Sequence, residues 1–274
     1  MIEQVEAHYS NASGNLAAAI ADSLRGAGKD LNDLKTTDLA TVDEFHIRGR
    51  KATIELAEQM MLTKDVRVLD IGSGLGGAAR TLAEEYGCHV TGVDLTQAFC
   101  HAAEILSDWV NLSERVTFQQ GDATDLPLAD NQFDAAMTIH VAMNIPAKDK
   151  MYAQARRVVK PGGIFAVYDV LQGEGGDVFF PVPWAREPSI SHLATPGEME
   201  SLLANAGFHI LHVHDSTAES QGWFEAITVR IAKSGPPPVT FQAFLGGDFP
   251  EMARNQVRNL AERRIRTVSY ICKA

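Results

Sequence analysis

Residues 66–80, VRVLDIGSGLGGAAR, decide the fold of this chain. An apolar run at 66–69 ends in Asp70, and glycines at 72, 74, 76 and 77 come before a segment that favours helix. This order predicts a buried strand, a tight turn and a helix N-terminus. Because glycine has no Cβ, such a turn brings bare backbone N–H groups close to a ligand.

The glycine turn alone does not identify the ligand, because dinucleotide-binding enzymes have a similar turn. The stretches that follow alternate between strand and helix patterns, which predicts an α/β fold with a doubly wound, mostly parallel sheet. The predicted strands are 66–70, 89–95, 115–122, 133–139 and 164–170. Binding sites in such sheets lie beyond the carboxyl ends of the strands. Asp70, Asp94, Asp122 and His140 fall at those ends, so we expect them at one site.

Outside this core, the pattern predicts helices, one long loop and two further strands. Residues 1–42 look helical with a loop at 26–41, and a helix is expected over 43–61. The loop at 172–194 is rich in Gly, Pro and aromatics and is too long for an ordinary connection, so it reads as a lid or pocket wall. The remaining predictions are a helix at 195–206, a strand at 208–215, helices at 218–233 and 250–263 joined by the stiff linker 236–238, and a last strand at 265–273.

Composition narrows the functional class. The net charge of −11 disfavours broad contact with nucleic acid, and no apolar run is long enough for a membrane span. The first residues lack the apolar core of a secretory signal, and the three cysteines have no metal-type spacing. His212 and His214 share a strand face, but no third metal ligand has an evident place. We therefore expect a cytoplasmic protein, a monomer or homodimer, with no bound metal.

The motifs resemble those of the class I S-adenosylmethionine-dependent methyltransferases. LDIGSGLGG, VTGVDL, GDATDLPLADNQFD and RRVVKPGG occur in the order typical of that family, over about residues 44–215. The resemblance implies a Rossmann-like methyltransferase fold with a seven-stranded sheet, S-adenosylmethionine as cofactor and S-adenosylhomocysteine as product. It also implies a helical cover at 1–42 and a methyltransferase domain at 43–274, with a lid at 172–194 and substrate elements near 218–262. DEFHIRGR, the long loop and the last strand are similar to the sarcosine/dimethylglycine N-methyltransferases.

The resemblance assigns cofactor contacts position by position. Gly72 and Gly74 would admit the methionine part, and Asp70 would fix the turn and bond the amino group, directly or through water. Asp94 would accept both ribose hydroxyls. The adenine contacts would be Leu95, Asp122 and the backbone N–H of Ala123. A dinucleotide fold explains neither Asp70 nor the group at 121–123.

Basic residues of the predicted 43–61 helix are candidates for closing the site. His46, Gly49, Arg50 and Thr53 share one face of that helix, which is either solvated or closes over the cofactor. In the second case Arg50 or His46 meets the cofactor carboxylate or the substrate, and Tyr9 joins the cover.

His140 is the leading candidate for a general base, with His46 second, because an unperturbed imidazole accepts protons near neutral pH. A histidine bonded to backbone groups at a strand end is the alternative. Substrate contacts are expected from Met143 and Asn144 after strand four, and from Trp184, Arg186 and His192 in the loop, where packing under the lid is the alternative for the aromatic residues.

The sequence does not identify the molecule that accepts the methyl group. An amine, as in sarcosine or dimethylglycine, is the first hypothesis, and O- or C-methylation of an apolar quinol, phenol or terpenoid is the second. A small carboxylate substrate needs a cation beside the pocket, for which Arg50 and Arg186 are the candidates. A protein that binds the cofactor without catalysis is the alternative of another class.

Overall fold

The computed structural model describes residues 8, 16–235 and 245–274, and its centre is a seven-stranded sheet of order β3-β2-β1-β4-β5-β7-β6. Strands β1 to β5 run parallel, and β7 lies antiparallel between β5 and β6. The strands are β1 (Arg67–Ile71), β2 (His89–Asp94), β3 (Val116–Gln120), β4 (Phe133–Ile139), β5 (Val159–Gln172), β6 (His209–Asp215) and β7 (Ile265–Lys273). The predicted fold class is confirmed.

Helices cover both faces of the sheet, which explains why its central strands are almost entirely apolar. The helices are α1 (Leu16–Gly26), α2 (Thr36–Asp43), α3 (Gly49–Ala57), α4 (Gly77–Tyr86), α5 (Gln97–Trp109), α6 (Lys148–Val158), α7 (Pro196–Asn205), α8 (Thr217–Ser234) and α9 (Phe249–Ala261). Helices α3, α4 and α5 pack on one face, and α6 and α7 on the other. Helices α1 and α2 join α5 in a separate cluster beside Leu75.

Strand β1 lies between β2 and β4, so the chain leaves β1 toward one side and β4 toward the other. This switch in direction opens a crevice at the carboxyl ends of β1 and β4, where α/β sheets bind their ligands. The predicted site residues therefore lie where the topology places a cavity.

The predicted helix over 43–61 is wrong. Helix α2 ends at Asp43 and α3 begins at Gly49, while α2 begins at Thr36 inside the predicted loop 26–41. Arg48 and Gly49 both have positive φ, 72° and 48°, which a continuous right-handed helix does not allow. The four residues expected on one helix face are therefore not on one helix face.

The linker predicted at 236–238 lies outside the described residues. Among the helices that the structure does describe, none is long and apolar enough to cross a membrane. The described side chains also contain no group of three or more His, Cys, Asp or Glu placed to hold a metal ion.

Candidate functional site

A cavity of about 330 Å³ opens at the carboxyl ends of β1, β2 and β4. Most of the predicted site residues line it. They are His46, Asp70, Gly72, Gly74, Asp94, Leu95, Asp122, Ala123, His140 and Asn144. The structure thus brings together residues that lie up to 98 positions apart in the sequence, from His46 to Asn144.

The glycine turn fits tightly against the segment that follows β4. Gly72 has φ +77°, and a Cβ at that position would lie 2.3 Å from Cγ2 of Val141. Gly74 has φ +52° and its N–H donates to Oδ2 of Asp94 at 2.8 Å. Both positions therefore require glycine, one for space and conformation and the other for conformation.

The carboxylates of Asp94 and Asp122 are held by backbone donors. Asp94 accepts from the Gly74 N–H at 2.8 Å and from the Thr96 N–H at 2.9 Å, and burial raises its pKa. Asp122 accepts from the backbone N–H and the hydroxyl of Thr124, both at 2.8 Å. A carboxylate has about four lone-pair sites, so each side chain retains acceptor capacity toward the cavity.

The cavity wall is acidic. Asp43, Asp70, Asp94 and Asp122 line it, and the described lining residues include no lysine or arginine. Asp70 is only 2% exposed, and its Oδ2 has no hydrogen-bond partner among the described residues. Burial, reinforced by the charges of Glu44 and Asp94, raises the pKa of Asp70 to about 8. A ligand with positive charge would offset this repulsion.

Asp43 differs from the other acids because a buried arginine pairs with it. Nη2 of Arg80 lies 2.6 Å from Oδ2 of Asp43 and also donates to the Leu75 carbonyl of the glycine turn at 2.5 Å. Nη1 of Arg80 bonds the hydroxyl of Ser107 at 2.9 Å. Arg80 thus joins α2, the glycine turn and α5. The sequence interpretation missed it, although a single arginine on the apolar face of α4 is the signal that could have identified it.

Three aromatic rings meet beside the cavity. The ring centroids of His46 and His140 lie 5.9 Å apart, and Tyr168 lies 4.9 Å from His140. The backbone N–H of His140 donates to the backbone carbonyl of Tyr168 at 2.8 Å. In the imidazole ring of His140, Nε2 has no partner in the described part of the chain.

Both histidines are neutral at neutral pH. Burial, together with the repulsion between the protonated forms of the two imidazoles, lowers the pKa of His140 well below its usual value. Burial lowers the pKa of His46 to about 4, and its Nε2 lies 3.0 Å from the Gly49 carbonyl. The unperturbed imidazole expected from the sequence is therefore not what the fold provides. Each ring can accept a proton, but it is a weaker base than a solvated histidine.

Two predicted cations lie away from the cavity. The Arg50 guanidinium donates to Thr81 at 2.6 Å, Glu84 at 2.8 Å and Glu85 at 2.7 Å, on the outer side of α4. Arg186 pairs with Asp248 and donates to the Leu245 carbonyl at 3.0 Å. Neither arginine lines the cavity. Tyr9 lies outside the described residues.

Two predicted substrate residues belong to a packed core instead. Trp184 is 1% exposed and packs with Met143, Ile47 and Val182, and its Nε1 donates to the Ser191 hydroxyl at 3.0 Å. Neither Trp184 nor Met143 lines the cavity. For Trp184 the structure agrees with packing under the loop.

The cavity wall after β4 and the long loop are tied together. Asn144 Nδ2 donates to the carbonyls of Trp184 and Ile190, both at 2.8 Å, and the His192 N–H donates to the Met143 carbonyl at 2.7 Å. Lys148 Nζ donates to the carbonyls of Ile145, at 2.7 Å, and His192. His192 thus joins the loop to the wall rather than lining the cavity itself.

The buried charge of Lys148 has an acidic counterpart in β5. Asp169 attracts Lys148, accepts from the Val170 N–H at 2.8 Å, and receives further backbone hydrogen bonds from residues 142 and 143. Burial raises the pKa of Asp169 to about 7 and lowers that of Lys148. The sequence interpretation missed both residues. An acid inside the apolar strand IFAVYDV is a signal for Asp169, whereas nothing local marks Lys148.

Comparisons with known proteins agree with this geometry. Residues 69–167 match a family model described as a methyltransferase domain. The matched segment runs from β1 into β5 and includes the glycine turn, so this part of the chain is similar to a methyltransferase domain.

Among individual proteins, the sterol 24-C-methyltransferase ERG6B of Gibberella zeae is 32% identical over 173 residues, which cover 61% of this chain and 46% of the relative. The chain spans about half the length of the first curated relatives it matches.

Two solved structures illustrate the range of proteins with this fold. The [4+2]-cyclase SpnF has a TM-score of 0.66 and 26% identity, over 82% of this chain and 80% of that one. A structure described as a putative sarcosine dimethylglycine methyltransferase from Galdieria sulphuraria has a TM-score of 0.66 and 19% identity, over 82% and 83% of the two chains. At 19% identity, the second comparison shows a shared fold and gives no information about the methyl acceptor of this chain.

Two structures of the same fold are described as complexes with S-adenosylmethionine, and the cavity suits that cofactor. The cofactor carries positive charge on its sulfonium and its ammonium, and the buried, unpartnered Oδ2 of Asp70 is an acceptor for such a charge. The tight turn at Gly72 leaves no side chain between the backbone and the ligand. The acidic lining and the close backbone turn therefore fit a cationic nucleoside.

Proposed function

We propose that this protein transfers a methyl group from S-adenosylmethionine to a neutral, largely apolar small molecule. The observation that carries this proposal is the charge of the cavity, which has four acids and no arginine or lysine among its described lining residues. An acceptor with a carboxylate or phosphate would find no lysine or arginine among the described lining residues to pair with.

The cofactor roles follow from the positions of the lining groups. Asp94 accepts the ribose hydroxyls, Asp70 faces the ammonium, and the turn at Gly72 and Gly74 approaches the methionine part. The adenine end is assigned to Leu95, Asp122 and Ala123. All of these residues line the same cavity, which supports their assignment to one ligand.

The residues that line the cavity favour a different methyl acceptor from the one expected first. The sequence made a small amine such as sarcosine the first hypothesis, with Arg50 or Arg186 to hold its carboxylate. Both arginines are paired elsewhere, so this hypothesis loses its support. Apolar residues follow β4 along the wall at Val141, Ile145 and Pro146, which favours an apolar acceptor. Similarity to sterol 24-C-methyltransferases points in the same direction.

The chain contributes alignment, water exclusion and a proton acceptor. When bound, the cofactor supplies the methyl group from its sulfonium. The buried wall holds the acceptor in line with it and excludes water. A hydroxyl or carbon acceptor must also lose a proton, and Nε2 of the neutral His140 has no partner among the described residues and is available to take it. His46 is the second candidate for this role.

A methyl-transfer assay tests the proposal. The purified chain is incubated with methyl-labelled S-adenosylmethionine and three acceptor groups: sterols and terpenoids, quinols and phenols, and sarcosine with dimethylglycine. We expect label in one of the first two groups. For an acceptor that loses a proton, His140→Gln should lower kcat by about 100-fold, the usual scale of a general base. Label in sarcosine or dimethylglycine alone would overturn the choice of acceptor.

A second candidate function is a rearrangement that uses the cavity without transferring a methyl group. It is favoured by the 26% identity to a protein described as a [4+2]-cyclase over 82% of this chain. A product of unchanged mass, formed from an apolar polyene without consumption of S-adenosylmethionine, would support it. A binding protein without catalysis would show cofactor affinity and no product in either assay.

A further inference from the structure

A second cavity, of about 280 Å³, lies between α3 and strands β5, β6 and β7. Tyr168 separates it from the cofactor cavity. This residue lines the second cavity, while its ring packs on His140, which lines the first. The proposed methyl transfer does not use the second cavity.

The interior of the second cavity carries buried hydrogen-bond donors. Arg48 is 5% exposed, and one of its nitrogens, Nη2, bonds Glu55. A guanidinium has five N–H groups, and among the described residues Glu55 is the hydrogen-bond partner seen for it. Tyr168 is 2% exposed, and its hydroxyl has no partner within the described ranges. Ser269, also buried, adds a second hydroxyl to the lining.

The acids of this second cavity do not occupy all of its hydrogen-bond donors. Glu55 is shared between Arg48 and the exposed Lys51, whose Nζ lies 3.8 Å away. Glu58 is exposed, as are the imidazoles of His212 and His214. Glu58 is therefore solvated and Glu55 is half-buried, whereas Arg48 and Tyr168 are buried.

We propose that this second cavity binds a small organic carboxylate with an apolar body. A planar carboxylate matches the fork of the Arg48 guanidinium and also accepts from the Tyr168 hydroxyl. Ala52 and Leu56 supply an apolar wall for the carbon skeleton of the ligand. The site is separate from the cofactor cavity, and the proposal does not depend on which acceptor is methylated.

Isothermal titration calorimetry with benzoate tests the proposal, with methylammonium and inorganic phosphate as comparison ligands. We expect benzoate to bind and methylammonium not to bind. Arg48→Gln should weaken benzoate binding by about 30-fold, and Tyr168→Phe by about 5-fold while keeping the ring that packs on His140. Lys51→Gln is the matched control, because it removes a positive charge that also pairs with Glu55 but lies outside the cavity.

Three results would overturn the proposal: no benzoate binding up to roughly 10 mM, binding of phosphate or methylammonium without benzoate, or equal losses in Lys51→Gln and Arg48→Gln. If Arg48→Gln fails to fold, Tyr168→Phe decides the question, since it removes one hydroxyl oxygen. Titration with S-adenosylhomocysteine checks that each variant keeps an intact cofactor cavity, so failure here is distinguishable from failure of the proposed methyl transfer.

Discussion

Cofactor binding should release a proton from Asp70. The pKa of this buried carboxyl is raised to about 8, so at pH 7 roughly nine-tenths of the side chains are protonated. An ammonium beside it favours the charged form and lowers the pKa. If the pKa falls to its ordinary value, about 0.9 proton leaves at pH 7 for each ligand bound.

The sign of the pH dependence follows from the same shift. The ligand prefers ionised Asp70, and the ionised fraction of the ligand-free protein rises with pH until it passes the pKa of about 8. Affinity for S-adenosylhomocysteine should therefore rise about tenfold from pH 6 to pH 7. Over this range the ligand ammonium stays charged, because an α-amino group titrates near 7.7–8.0.

Calorimetry in two buffers with different ionisation enthalpies measures the released proton directly. Asp70→Asn is the matched variant, because it keeps the shape of the side chain and cannot titrate. It should bind nearly as well as the unchanged protein at pH 6 and more weakly at pH 8, with proton release reduced. Affinity that is independent of pH, or equal proton release in Asp70→Asn, would refute the role given to this residue.

Three further changes test other parts of the fold. Asp94→Ala should weaken S-adenosylhomocysteine binding by about 100-fold in calorimetry, because the ribose hydroxyls lose a charged acceptor; wild-type affinity would contradict this role. Gly72→Ala should lower the free energy of unfolding by about 2–4 kcal/mol in urea melts, since the added Cβ meets Val141 at a positive φ, and Val141→Ala should restore part of the loss. Lys148→Met should lower the free energy of unfolding by about 2 kcal/mol, because the carbonyls of Ile145 and His192 lose their donor and Asp169 loses a nearby positive charge; a Lys148→Met/Asp169→Asn double variant that is no more stable than the single one would argue against a contribution from Asp169.

The position of the cofactor cavity was predictable because it follows from the order of strands and helices in the chain. Once the alternation of strands and helices is recognised, Asp70, Asp94, Asp122 and His140 must meet at one edge of the sheet, and they line one cavity. Local patterns were enough for this, since strand ends and glycine turns are marked by adjacent residues. The last strand was also predicted with its observed bounds, Ile265–Lys273, from its apolar pattern.

Long-range partners explain what local patterns could not predict. Glu44 interrupts the expected helix, and its carboxylate bonds Thr53 and Thr81, the latter 37 positions away. The direction of Arg50 depends on acids 34 and 35 positions away, and that of Arg186 on Asp248, 62 positions away. Helical periodicity contains no information about such partners, so both arginines were expected at the cavity and lie elsewhere.

Hydrogen bonds to its own main chain tie the long loop to the cavity wall. Asn144 and Lys148 bond carbonyl oxygens of Trp184, Ile190 and His192, and every amino acid supplies such an oxygen. These hydrogen bonds therefore make few demands on which side chains stand at 184, 190 and 192. During evolution, exchange at these positions is limited instead by core packing, since Trp184 and Ile190 are buried in one apolar cluster.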